Sequence, residues 1–258
     1  MRIPAFVFAA TMIGLGVWGL VGRDFAPIWA PVPKHWPARE ALVWVTGLAA
    51  LACGVGLLFK RTAASAGGAL AALLLIWLLV FKAPAVVAAP GVAAAWESCG
   101  ESAVLAAGAW VLFATADAGR LVPIVAGETG VRLARSLYAL AMLAFGAAHL
   151  AYVKATAALV PGWLPDHAAW VWVTAVTYIG AGVAMLVGAW ARAAATLSAA
   201  QMGLFTLLVW APALARGHAS ADDWSEAAIS WSLTAAGWVV AASYRGAPWL
   251  AGGGRRTR

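Results

Sequence analysis

The sequence predicts an all-α, polytopic membrane protein: eight transmembrane helices arranged as two parallel four-helix repeats. Three observations carry that expectation. The chain of 258 residues is 64% hydrophobic and only 10% charged, where a soluble domain carries about 25% charged residues. Its uncharged runs approach the roughly 20 residues needed to cross the roughly 30 Å hydrocarbon core of a bilayer. The chain also matches itself when displaced by 128 residues.

That displacement lays "VPKHWPAREALVWVTGLAALACGVGLL" on "VPGWLPDHAAWVWVTAVTYIGAGVAML", with 11 of 27 positions identical and no gap. The identities include Pro33/Pro161, Pro37/Pro165, Trp44/Trp172, Thr46/Thr174 and Gly54/Gly182. The same offset pairs Trp96 with Trp224, Ser102 with Ser230 and Trp110 with Trp238. Alanine richness produces scattered matches, not paired prolines and tryptophans. The repeats span 1–118 and 133–246, joined by a cytoplasmic linker at 119–132 and followed by a basic, disordered tail at 247–258. Because each unit has an even number of helices, both sit the same way up.

The elements follow in order. The run 3–22 starts "MRIPAFVFAATMIGLGVWGLVG" and has the build of a signal peptide. Its length, and the internal position of its counterpart, make it a retained first helix. The run 41–59 follows "VPKHWP", and 64–82 ends at Lys82. The run 98–116 has Glu101 near its start. The second unit repeats the pattern at 134–153, 168–190, 194–214 and 227–244, with "VPGWLP" before its second helix. Proline is favoured at a first helical turn, so both proline pairs are expected to launch the helix that follows. Small residues four apart, Ala52/Gly56 and Gly180/Ala184, are expected to mark the packing seam of those helices.

Charge sets the orientation. Eleven Lys and Arg fall on the side of the termini and six on the other, which predicts cytoplasmic N- and C-termini. Eight of the ten acids, and all four histidines, fall on the outer side. The net charge of +7 is therefore topological, and no nucleic-acid partner is expected. The partner is the lipid bilayer. Cys53 and Cys99 form no CxxC and are expected to stay unpaired.

The outer half holds the candidate ligand-binding residues: His149, Trp163, Thr174, Tyr178, Thr46, Trp36 and Glu226. His149 is an ionisable group near the end of a span, which marks a functional position; alternatively it is simply wet. Its repeat partner is Val21, so a site there is asymmetric. Trp36 and Trp163 suit an interfacial belt or a lid over a pocket. Thr46 and Thr174 suit bonds to their own helix backbone or contact with a ligand. Glu97, Glu101 and Glu226 open two helices, where acids complement the helix dipole; the other reading is proton or cation handling. No metal is expected, because no HxxxH or HExxH spacing occurs, and no catalytic constellation is complete.

The stretch "FGAAHLAYVKATAALVPGWLPDHAAWVWVTAVTYIGAGVAML" resembles the DoxX-like family of small bacterial integral membrane proteins. The matching positions are Gly146 to His149, Pro161/Pro165, Thr174 and Gly182, and in the first half Pro33/Pro37, Thr46-Gly47 and Gly54. The acid that the family places four residues after the threonine is here Ala50 and Tyr178. The resemblance implies a bacterial cytoplasmic (inner) membrane location. It also implies a redox-associated, quinone-linked subunit with an outer-leaflet pocket, whose electrons come from a redox partner protein. No other cofactor is evident. Two alternatives stand beside it: a carrier or binder of a small hydrophobic ligand, and a scaffold without catalysis.

Overall fold

The computed structural model describes residues 2–117 and 124–252, and among these it contains helices and no strand. Nine helices organise it: α1 Arg2–Gly22, α2 Arg39–Leu57, α3 Ala63–Ala88, α4 Ala93–Asp117, α5 Gly127–Ala151, α6 Val153–Leu159, α7 His167–Val187, α8 Ala191–Ala215 and α9 Ala221–Ser243. A single 3₁₀ turn, Pro27–Trp29, lies between α1 and α2. Seven helices are long and apolar enough to cross a membrane: α1 to α5, α7 and α8. The eighth expected span is α9, which is 23 residues long but falls short in apolarity. Asp222, Asp223 and Glu226 stand in its first turns, and hydroxyl side chains follow.

Each long helix packs against its neighbours in the chain, and α9 closes the ring on α1. Helices α4 and α9 also meet across the middle. There a Cβ on Gly108 would come within 3.0 Å of Ala236 Cβ. The core sits on these two helices, with Val104, Leu105, Val111, Val239 and Val240 all buried. On the periphery Val45, Leu48, Val173, Val176, Leu197, Leu204 and Leu207 are each more than half exposed. So much exposed apolar surface is unstable in water and suits hydrocarbon. This is the architecture of a multi-pass membrane protein.

Several boundaries differ from the sequence expectation. Helix α3 does not stop at Lys82. It passes through Pro84 by widening into a π-helical turn over Leu78–Lys82, where the Ala83 amide donates to the Leu78 carbonyl. Helix α8 does the same over Thr206–Trp210 before Pro212, with the Ala211 amide donating to the Thr206 carbonyl. Proline lacks an N–H and crowds the carbonyl four residues back; a wider turn relieves both. Helices α4, α5 and α9 begin five to seven residues earlier than their uncharged runs, because charges are tolerated in first turns. In α9 the cap is a Ser220–Asp223 capping box. The expected linker shortens to the residues before Gly127, and 118–123 lie outside the described residues. The tail expected at 247–258 is held over its first part. Arg192 donates to the Ala247 carbonyl at 2.9 Å and lies 4.0 Å over the Trp249 ring. Residues 253–258 lie outside the described residues.

The proline pairs stand two residues before their helices rather than in the first turn. Arg39 and His167 begin α2 and α7. The residues between, Ala38 and Asp166, adopt the left-handed conformation with φ of 54° and 46°. Asp166 also accepts a capping bond from the Ala169 amide at 3.1 Å. The expected packing seam holds in part: a Cβ on Gly56 would meet Ala66 Cβ at 2.8 Å, whereas Ala52 is exposed and Gly180 faces open space. Further close approaches are made by Gly54, whose Cβ would meet the Ala9 carbonyl at 2.8 Å, and by Gly182, whose Cβ would meet the Ala139 carbonyl at 2.7 Å. Both cysteines are free.

Candidate functional site

A cavity of about 590 Å³ lies in the second half of the chain, between α5, α7, α8 and α9 and against the start of α4. Its covering segment is "VPGWLP": Val160, Pro161, Trp163 and Leu164 border it. The chain places that segment there because α6 carries it off the end of α5 and the Asp166 cap turns it back into α7. Trp163 is 71% exposed, so it forms a rim rather than a floor.

The walls are mainly apolar. Val173, Leu197 and Leu204 both border the cavity and stand more than half exposed on the outside of the bundle. The cavity is therefore open to the surroundings rather than sealed within the bundle. Inside, three rings converge. His149 lies 5.5 Å from Tyr178 and 5.8 Å from Phe205, and Tyr178 lies 6.4 Å from Phe205. His149 Nδ1 donates to the Phe145 carbonyl at 2.9 Å, the ordinary i−4 position of its own helix. Gln201 reaches across from α8 to donate to the Thr174 carbonyl at 3.1 Å.

Helices α4 and α9 bring three carboxylates to this apolar space: Glu97, Glu101 and Glu226. Among the described residues none of the three makes a hydrogen bond or ion pair; the salt bridge found there joins Arg39 to Asp24. They lie near enough to feel one another's charge, and Lys82 stands beside Glu101. Lys82 is itself buried. It donates to the Ala30 carbonyl and, at 2.8 Å, to Ser98 Oγ. Lys82 therefore offsets the charge of Glu101, while Glu97 and Glu226 border the cavity without a cation of their own among the described residues.

Of the seven residues singled out in the sequence, His149, Trp163, Thr174, Tyr178 and Glu226 border the cavity. Thr46 and Trp36 do not. Thr46 is 1% exposed and donates to the Leu42 and Val43 carbonyls of its own helix. Trp36 packs on Phe81, with ring centroids 4.8 Å apart. Sequence reasoning passed over Gln201, Phe205 and Trp210. Gln201 had a signal, being the chain's only glutamine and set in an apolar run; a polar side chain within a span marks a site or a helix contact. Among the described residues no group of three metal-ligating side chains occurs.

No family model, curated protein or solved structure matches this chain. The fold and cavity define a class, a multi-pass helical membrane protein with an open, mainly apolar pocket, and the function is argued from that site alone.

Proposed function

We propose that the chain is a binder of a small amphiphilic molecule that enters from the bilayer, built as a duplicated four-helix unit of the DoxX-like type in a bacterial cytoplasmic membrane. The observation that carries this reading is the cavity itself: an apolar space, open between helices, with polar groups gathered at one side. Such pockets, with few convergent polar groups, are the usual form of a small-molecule site. The duplication draws support from helix starts 128 positions apart, Arg39 with His167 and Ala63 with Ala191. The two π-helical turns, starting at Leu78 and Thr206, share that offset. The orientation follows the lysine and arginine count, with the cavity in the outer leaflet.

The ring cluster of His149, Tyr178 and Phe205 favours a flat ring in the ligand. A quinone is the redox form of this reading. It makes the chain a subunit that holds the quinone while a partner protein supplies electrons. The scaffold alternative is disfavoured by the unfilled space, since interiors are otherwise close-packed.

Native mass spectrometry of protein extracted in mild detergent tests the reading. Wild type is expected to carry a retained small molecule, identified after organic extraction. Ala200→Trp, which puts an indole into the cavity, is expected to lose it while keeping the helical circular dichroism spectrum. Equal retention by both proteins contradicts the proposal.

A further inference from the structure

We infer that the cavity takes a cationic amphiphile whose ammonium group stands on an aromatic head; the inference rests on the cavity reading above and narrows its ligand. The first half of the chain shows why, through the positions that correspond at an offset of 128 residues.

In the first half the corresponding region is occupied by the chain itself. Trp29 is 1% exposed and packs edge-on against Trp77, with ring centroids 5.1 Å apart. Trp77 Nε1 donates to the Trp29 carbonyl at 3.0 Å. The ammonium of Lys82 stands next to this plug, bonded to the Ala30 carbonyl and to Ser98. An aromatic ring and an ammonium therefore sit side by side within one enclosure.

The second half keeps the enclosure but lacks both occupants. Trp77 corresponds to Phe205, which borders the cavity. Lys82 corresponds to Trp210, so the internal cation is gone and a tryptophan borders the cavity there instead. Ser98, which accepts from the Lys82 ammonium, corresponds to Glu226, so the acceptor has become a carboxylate. Trp29 corresponds to Ala157, so the plug has no direct counterpart, and Phe205 meets the His149 and Tyr178 rings at the longer centroid distances of 5.8 and 6.4 Å. The first half is self-filled with a ring and a cation. The second half has exchanged both for open space, a carboxylate and a tryptophan.

An uncompensated carboxylate against apolar walls is costly, and a charge there is stabilised by a paired ion. Glu97 adds to the deficit, and the nearby lysine answers Glu101 while it spends its bonds on Ala30 and Ser98. A ligand ammonium answers it twice, by a charge-assisted bond to Glu226 and by attraction to the Trp210 ring face. Its aromatic head takes the place against Phe205 that Trp29 takes against Trp77. Its apolar remainder leaves through the opening toward lipid.

A matched pair of ligands tests this: 4-butylbenzylamine, cationic at neutral pH, and 4-butylbenzyl alcohol, which is neutral and nearly the same shape. Binding is measured by calorimetry on the full chain in lipid nanodiscs, with empty nanodiscs as the partitioning blank. Wild type is expected to bind the amine roughly tenfold or more tightly than the alcohol, as a charge-assisted bond implies. Glu226→Gln is expected to abolish that preference while leaving the alcohol's affinity unchanged. Glu226→Ser, which installs the first half's own residue, serves the same purpose should the glutamine variant misfold. Equal binding of amine and alcohol by wild type, or a preference that survives both substitutions, overturns the inference and leaves the cavity reading standing. Binding of neither compound overturns both.

Discussion

At the scale of single residues, the polar side chains sort into those that the helices use and those left facing the cavity. Lys82 belongs to the first kind. It is 3% exposed, and its bonds to Ala30 and Ser98 hold the Pro27–Trp29 turn against α3 and α4. Lys82→Met removes both bonds from a buried position and is expected to destabilise the protein by about 1 kcal/mol or more in detergent unfolding. Trp163 belongs to the second. Its exposed rim position predicts that Trp163→Ala weakens ligand retention in native mass spectrometry and shifts stability by no more than about 0.5 kcal/mol. Asp24, in the loop after α1, carries a small pH dependence. Partial burial pushes its carboxyl upward, but the Phe25 amide and the Arg39 guanidinium outweigh this and hold it below the usual carboxylate range. A depressed folded value gives stability that is present above the unfolded value, about 4, and is lost as pH falls through the folded one. The pair is largely exposed, so the effect is a few tenths of a kcal/mol. Unfolding midpoints below about pH 4 are expected to fall in wild type and to fall less steeply in Asp24→Asn. His149, Tyr178 and Glu226 were legible in the sequence because ionisable or phenolic groups stand out in apolar helices. Phe205 and Trp210 were not, since an aromatic residue in a span looks the same whether it faces lipid or a cavity.

At the scale of helices, hydropathy located every long element, and polarity at the ends displaced the boundaries. Helices α5 and α9 take Glu128, Asp222 and Asp223 into their first turns, and α5 carries Arg132 and Arg135 just beyond, where a hydropathy run stops short. The π-helical turns were illegible: the run 64–82 stops short of Pro84, and the run 194–214 passes through Pro212 with nothing in the sequence to mark a widened turn. Small-residue spacing found a close contact at Gly56 but pointed to Gly180 where Gly182 makes the approach. Spacing of four is satisfied by several faces of one helix, and only the neighbouring backbone decides which face is the seam. The structure makes a clear contrast. A Cβ at Gly182 would press on the Ala139 carbonyl, a backbone atom that cannot swing aside, whereas Gly180 faces open space. Gly182→Ala is expected to cost about 1–3 kcal/mol. Gly180→Ala is expected to be neutral or to stabilise by up to about 1 kcal/mol, because alanine is the better helix former. Thermal unfolding of the two variants in one detergent checks the pair.

At the scale of the whole molecule, composition and the 128-residue correspondence led to an all-helical membrane bundle, but they could not locate open space. The two halves look alike as strings, and the difference lies in what fills them. Trp29 and Lys82 are packed within the first half, while the second half keeps a cavity beneath "VPGWLP". That asymmetry comes from a few exchanges, Lys82 for Trp210 and Trp29 for Ala157 among them, whose meaning depends on three-dimensional neighbours. The central claim, that this cavity is occupied by a molecule from the bilayer, has a direct test in native membranes. Photo-methionine, nearly isosteric with methionine, is incorporated into the protein, illuminated in the membrane and mapped by peptide mass spectrometry. Met202 borders the cavity, whereas Met12 lies fully buried within the first half. The account predicts an adduct of a small molecule or lipid on the Met202 peptide, with Met12 joined only to its own chain. Cross-links at Met202 to protein alone would contradict it.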